Sequence, residues 1–150
     1  MDAGDAGLGA VQAAIRVSFG TPGTAVAQAG SAERDAAASS PDAAQRLGFT
    51  VDGLREGRTV QVGAFVRDAG FVGGGSHIPR GATSEIVGVG VLPAFRRRGL
   101  AGAATHLLAR QALDSGVTTV FCSAGSSDVA RVYEGVGFRR IGTACIAEIA

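Results

Sequence analysis

Thiols, aromatics and net charge are all scarce in this chain, which has two cysteines, one tyrosine, no tryptophan and a formal charge of +1 across its 150 residues. Cys122 and Cys145 stand at no metal-ligand spacing from each other or from His77 and His106, which argues against a structural zinc site; no metal is expected. Both cysteines lie in apolar, strand-like stretches and are expected to be reduced and buried in a cytoplasmic protein. The near-balanced charge supplies no global field to gather nucleic acid or an anionic membrane surface, so any basic function must be local. No run of about 18 apolar residues escapes interruption by charge or glycine, which excludes a membrane-spanning helix. At the amino terminus, Asp2 and Asp5 occupy the place where a secretory signal carries positive charge, and no apolar core follows. What remains is a length typical of one domain and a 46% hydrophobic composition, enough for a single core.

The pattern divides near Gly57 into a helical region, 1–57, and a sheet-forming region, 58–150. Leu8, Val11, Ala14, Ile15 and Phe19 recur at helical spacing before a Thr21-Pro22-Gly23 loop. Ser31 opens a second helix, and Ser40-Pro41-Asp42 reads as the capped start of a third that runs to about Glu56. From Arg58 the period becomes two, with a strand through Val60, Val62, Ala64 and Val66, and a turn at Asp68 to Gly70. Phe71 to His77 forms the returning strand, weakened and bulged by Gly73 to Gly75. A third strand, Glu85 to Leu92, ends at Pro93. Leu100, Ala103, Ala104, Leu107, Leu108 and Ala112 then mark the clearest helix, closed by Ser115-Gly116. Strand Thr118 to Ser123, a helix from Ser127 to Val136 and a last strand from Arg139 to Ile149 complete an α/β (α+β) chain with a mixed sheet.

Between that third strand and that helix lies a device for holding an anion. Arg96-Arg97-Arg98-Gly99 precedes the helix, whose first N–H groups lack intrahelical partners and stand at the positive end of the macrodipole. Gly99 lets the backbone approach closely, and Leu100-Ala101-Gly102-Ala103 keeps most side-chain bulk away from a large phosphate group. An arginine run alone would equally be a solvated loop. No Gly-Lys-Ser/Thr and no Gly-x-Gly-x-x-Gly accompanies it, so other nucleotide loops fit poorly.

Arg96-x-x-Gly99-x-Ala101 resembles the (Gln/Arg)-x-x-Gly-x-(Gly/Ala) signature of the GNAT superfamily of N-acetyltransferases. The resemblance covers roughly the last 90 residues in order: strand Val87 to Leu92, the long helix, strand Val117 to Ser123, and Val132-Tyr133-Glu134-x-x-Gly137-Phe138. It implies a splayed central sheet flanked by helices, acetyl-CoA as co-substrate, and transfer of acetyl to a primary amine by direct attack. In such a sheet, Val89, Gly90 and Val91 would offer main-chain groups to the pantetheine arm, and residues 96–103 would cradle the pyrophosphate.

Acetyl transfer to an amine requires a neutral nitrogen, a polarised thioester carbonyl and a proton for the departing thiolate. Glu85 stands eleven positions before Arg96, a spacing similar to the family's catalytic glutamate; it is either the base, acting through water, or an exposed strand-end carboxylate. Tyr133 matches the family tyrosine assigned as general acid, the alternative being a core-packing tyrosine. Ser126 stands where many members carry an asparagine contacting the CoA arm. His77 is either a cleft residue or a strand residue without chemistry, the latter favoured; His106 is expected on the surface.

Two features depart from the family pattern. Ser126 weakens one cofactor contact, and Met1 to Gly9 shows no β pattern where the family opens with a strand. The expectations are truncation, a tandem GNAT arrangement, or a homodimer partner that completes the sheet. The acceptor, a small molecule or a peptide amine, is not legible, and a noncatalytic acyl-CoA-binding module is the alternative to an enzyme.

Overall fold

A computed structural model describes residues 1–145. Three helices come first: α1 (Leu8–Phe19), α2 (Ser31–Ala38) and α3 (Ala43–Arg55). Strands β1 (Val60–Val66), β2 (Gly70–Arg80) and β3 (Thr83–Val91) follow, then α4 (Leu100–Asp114), β4 (Thr119–Cys122) and α5 (Ser127–Glu134). The four strands form one sheet in the order β1-β2-β3-β4. β1, β2 and β3 are antiparallel neighbours, and β4 returns parallel to β3 after the α4 crossover.

The glycines of the sheet make room for α1. Gly63, Gly74 and Gly90 align across β1, β2 and β3. A Cβ on Gly74 would lie 2.8 Å from Val11 Cγ1, and one on Gly63 would lie 2.9 Å from Val11 Cγ2. One on Gly90 would collide with Ser18 Oγ. The row is a trough into which α1 settles, closer than any side chain would permit, burying Leu8, Val11 and Ala14 completely or nearly so. The next residue along β2, Gly75, faces the opposite side of the sheet, where its Cβ would come within 3.2 Å of Leu108 of α4. The weak-looking run Gly73 to Gly75 is therefore a central strand squeezed between two helices. Ala14, Val72 and Leu92 form the fully buried cluster beneath α1, with Phe95 and Leu100 packed against it.

His77 is buried in β2, and its Nδ1 lies 2.8 Å from Ser84 Oγ. Its Nε2 bonds to Gln111 Oε1, and Gln111 Nε2 donates to Ser115 Oγ at 3.0 Å. An amide oxygen only accepts, so His77 carries its proton on Nε2 and the Ser84 hydroxyl donates to Nδ1. The favoured structural reading of His77 holds: it pins β2 and β3 to the end of α4. His106 is exposed, as expected.

The elements follow the sequence pattern closely, with three differences. α3 begins at Ala43 with Asp42 in the cap position, rather than at the Ser40-Pro41 pair. Cys122 is half-buried and Cys145 exposed, which corrects the expectation that both are buried. No strand forms over residues 139–145, and the rest of the expected last strand, 146–149, lies outside the described residues. Gly137-Phe138 closes α5: Gly137 takes φ +103°, and the Phe138 N–H bonds back to Tyr133 O at 3.2 Å. Among the described residues no helix is long and apolar enough to cross a membrane.

Candidate functional site

The site begins where β3 loses a neighbour. β4 pairs with β3 only from Thr83↔Thr119 to Ile86↔Cys122. Beyond Ile86, β3 runs on to Val91 with β2 on one side only. At the same point Gly88 adopts φ +62° and the β2–β3 register slips between Gly74 and Ser76. This is a bulge centred on the one residue type that enters the left-handed region without cost. It turns the free edge of β3 toward a cleft of about 800 Å³, large enough for a cofactor-sized ligand.

One end of the cleft is the start of α4. Gly99, the N-cap of α4, has φ +76° with open space around it, so a glycine is needed for its torsion and not for room. Arg97 also takes a left-handed φ of +63°, which costs a non-glycine residue about 1–2 kcal/mol. These two bends aim the loop and the first amides of α4, at Leu100, Ala101 and Gly102, into the cleft that they line. The Ala103 N–H already bonds to Gly99 O at 2.9 Å, so the donor set closes there. Beside Arg97 a smaller recess of about 340 Å³ is bounded by Thr24, Asp128, Arg131 and Val132.

The three arginines separate. Arg97 is exposed and lines both cavities. Arg98 stacks its guanidinium over Phe95 at 5.1 Å and does not line the cleft. Arg96 lines the cleft, yet its guanidinium donates to four main-chain carbonyls: Ser18 at 2.8 Å, Thr21 at 2.7 Å, Ala25 at 3.1 Å and Val91 at 3.3 Å. Of the three arginines in the expected cradle, Arg96 thus spends its guanidinium on main-chain carbonyls and Arg98 lies over an aromatic ring, while Arg97 lines both cavities.

The expected chemical groups converge on the same cleft. Glu85 lines it near the end of the paired part of β3, and Tyr133 lines it from α5. Cys122 lies near both: burial, then the neighbouring Glu85 carboxylate, push its thiol up to about 11. Burial, with a smaller contribution from Cys122, pushes the Tyr133 phenol up to about 12. Tyr133 is thus a protonated donor at neutral pH, its ring 6.2 Å from that of Phe138. Val89, Gly90 and Val91 line the cleft with the preceding Val87 and Gly88. Ser126 lines it too, but its Oγ accepts from Val129 N at 3.3 Å as the N-cap of α5. Ala103 is not part of the lining.

The sequence reading missed one wall. Ser18, Phe19 and the loop Thr21 to Thr24 also line the cleft, with Phe19 62% exposed. A Thr-Pro-Gly loop announces a turn, but nothing local tells which strand it will face.

The arrangement coincides with known proteins. The sequence model of the acetyltransferase (GNAT) family matches residues 32–138. No curated protein sequence matches the chain. Among solved structures, an aminoglycoside acetyltransferase from an uncultured soil metagenomic sample superposes with a TM-score of 0.69 at 16% identity, covering 100% of this chain and 95% of that one. A Trypanosoma brucei acetyltransferase gives 0.67 at 18% identity, covering 95% and 94%. A Clostridium acetobutylicum protein solved with acetyl-CoA gives 0.61 at 11% identity, covering 94% and 91%. At such identities the likeness is one of fold, whereas the sequence match spans well over half the chain. The chain belongs to the acetyltransferase (GNAT) family.

Proposed function

We propose that the protein is an acetyl-CoA-dependent N-acetyltransferase acting on a primary amine by direct attack. The observation that carries this reading is the parting of β3 from β4 at a left-handed glycine, next to a helix start and between Glu85 and Tyr133. The cleft fits the co-substrate in kind. It offers free main-chain groups along Val87 to Val91 for an amide-rich arm, and the α4 start with Arg97 for a pyrophosphate. When bound there, acetyl-CoA supplies the activated acetyl thioester.

The chain's own residues account for the proton traffic. An amine must be neutral to attack, and among the described residues Glu85 is the only carboxylate lining the cleft; it takes the amine proton through water. Burial keeps the Tyr133 phenol protonated at neutral pH, so it enters the reaction as a donor. It acts as the general acid: its hydroxyl donates to the departing sulfur and passes its proton over as the C–S bond breaks, and water then returns a proton to the phenolate.

The test is an acetyl-CoA titration by calorimetry followed by turnover of an amine library, with Glu85→Gln and Tyr133→Phe beside the wild type. Binding with turnover is expected, with each substitution lowering kcat by about 10²-fold or more while leaving acetyl-CoA binding intact. The chain has no lysine, so lysine autoacetylation adds nothing to the signal. Binding without turnover of any amine would support an acyl-CoA-binding module instead.

A further inference from the structure

Arg96 belongs to the signature segment, but its hydrogen bonds run away from it. The four carbonyls it engages lie on the end of α1, on the following loop and on β3, and three of them are 71 to 78 positions distant in sequence. Ser18 O lies in the last turn of α1, at the negative end of that helix dipole, where a cation is stabilised. Two main-chain bonds continue the seam: Ala27 N to Pro93 O at 3.3 Å, and Ala94 N to Ala29 O at 3.0 Å. The segment so held supplies Ser18, Phe19 and Thr21 to Thr24 to the lining of the cleft, and Thr24 shares the smaller recess with Arg97. It also precedes residues 32–138, the part matched by the family. Burial lowers the Arg96 pKa without neutralising a guanidinium, so a charged fork remains in place.

We propose that Arg96 is a positioning residue that builds the acceptor-side wall of the cleft, its guanidinium fixing residues 18–25 to the end of β3, while Arg97 alone of the three arginines serves the phosphates. The proposal rests on the acetyltransferase reading for its kinetic consequence, but not for its structural one. A planar fork with five donors can satisfy four carbonyls at once; an ammonium at the end of a flexible stem cannot reach the same set. Neighbouring arginines in one loop therefore divide the two substrates between them. Arg96 sets the loop that meets the amine, and Arg97 meets the cofactor.

The experiment compares Arg96→Lys, Arg96→Ala and Arg97→Ala by three readouts: amide hydrogen exchange of residues 20–27, acetyl-CoA affinity by calorimetry, and KM for the best amine of the library. Both Arg96 variants are expected to speed exchange in 20–27 and to raise the amine KM by about tenfold or more, with acetyl-CoA affinity within about threefold of wild type. Arg97→Ala is expected to do the reverse, weakening acetyl-CoA by about tenfold and leaving loop exchange unchanged. Should Arg96→Ala fail to fold, the lysine variant, which keeps the charge and the stem, carries the comparison. Loss of acetyl-CoA affinity in Arg96→Lys with loop exchange unchanged would make Arg96 a phosphate ligand and overturn the proposal. If no amine is turned over, the acetyltransferase reading fails separately, and exchange and acetyl-CoA affinity still decide the role of Arg96.

Discussion

The two halves of β3, the largely polar Thr83-Ser84-Glu85-Ile86 and the Val-Gly run from Val87 to Val91, have opposite duties. Thr83 to Ile86 pairs on both sides, and its Ser84 faces inward to bond with buried His77. Val87 to Val91 keeps only β2 and presents its other edge to the cleft. Val and Gly alternate through the second half with nothing to distinguish it as a binding surface, because what it offers is main chain. On the proposed reading, binding arises from a missing partner and a left-handed torsion at Gly88, and side chains matter most where they place these groups.

The severest way to break the contrast is Gly90→Val. A side chain there collides with Ser18, so α1 must lift from the glycine trough; a loss of about 3 kcal/mol or more is expected in urea unfolding, with acetyl-CoA binding lost alongside. A stable, binding-competent Gly90→Val protein would show that the trough does not position the free half.

Tyr133 tests the environment facing that half. Its phenol is raised to about 12 in the folded protein against an unfolded value near 10, so folding favours the protonated form. The associated stability is complete below about pH 10 and disappears as pH rises through 12, amounting to about 2–3 kcal/mol for this buried group. Alkaline unfolding of wild type should therefore be steeper than that of Tyr133→Phe across this window. The absence of lysine removes the usual competing titration, and the Cys122 thiol, raised to about 11, is common to both proteins. Identical slopes would mean that the phenol is solvated.

The smallest effects make the sharpest comparison. Ser84→Ala, in the paired half, leaves His77 Nδ1 without its donor and should cost about 1–2 kcal/mol of stability with no change in acetyl-CoA affinity. Gly88→Ala, in the free half, has open space but a strained torsion and should cost about 1 kcal/mol while weakening acetyl-CoA severalfold, as the bulge straightens. Equal effects of the two on binding would erase the division proposed for the strand.

Much of this was legible in the chain. The helical spacing of Leu8 to Phe19 and of Leu100 to Ala112, and the alternation through Val60 to Val66, mark elements where they occur. The Arg96-x-x-Gly99-x-Ala101 signature, in the order of its neighbours, pointed to the family that matches residues 32–138. Glu85 and Tyr133, 48 positions apart, do meet at one cleft. What was not legible depends on distant partners. The loop after α1 becomes a cleft wall because Arg96 reaches back to it. Residues 139–145 carry a strand-like composition but form no strand.

By itself, then, the sequence determined what is local: the periods of helix and strand, and the order of elements around a turn read as an anion holder. These follow from each residue's own torsional and hydropathic preferences, which act over a few positions. Only the tertiary structure decided which partner each versatile group takes. Arg96, Arg97 and Arg98 are chemically identical, and the carbonyls of Ser18 and Thr21 that set Arg96 apart are brought within reach only by the packing of α1 against β3.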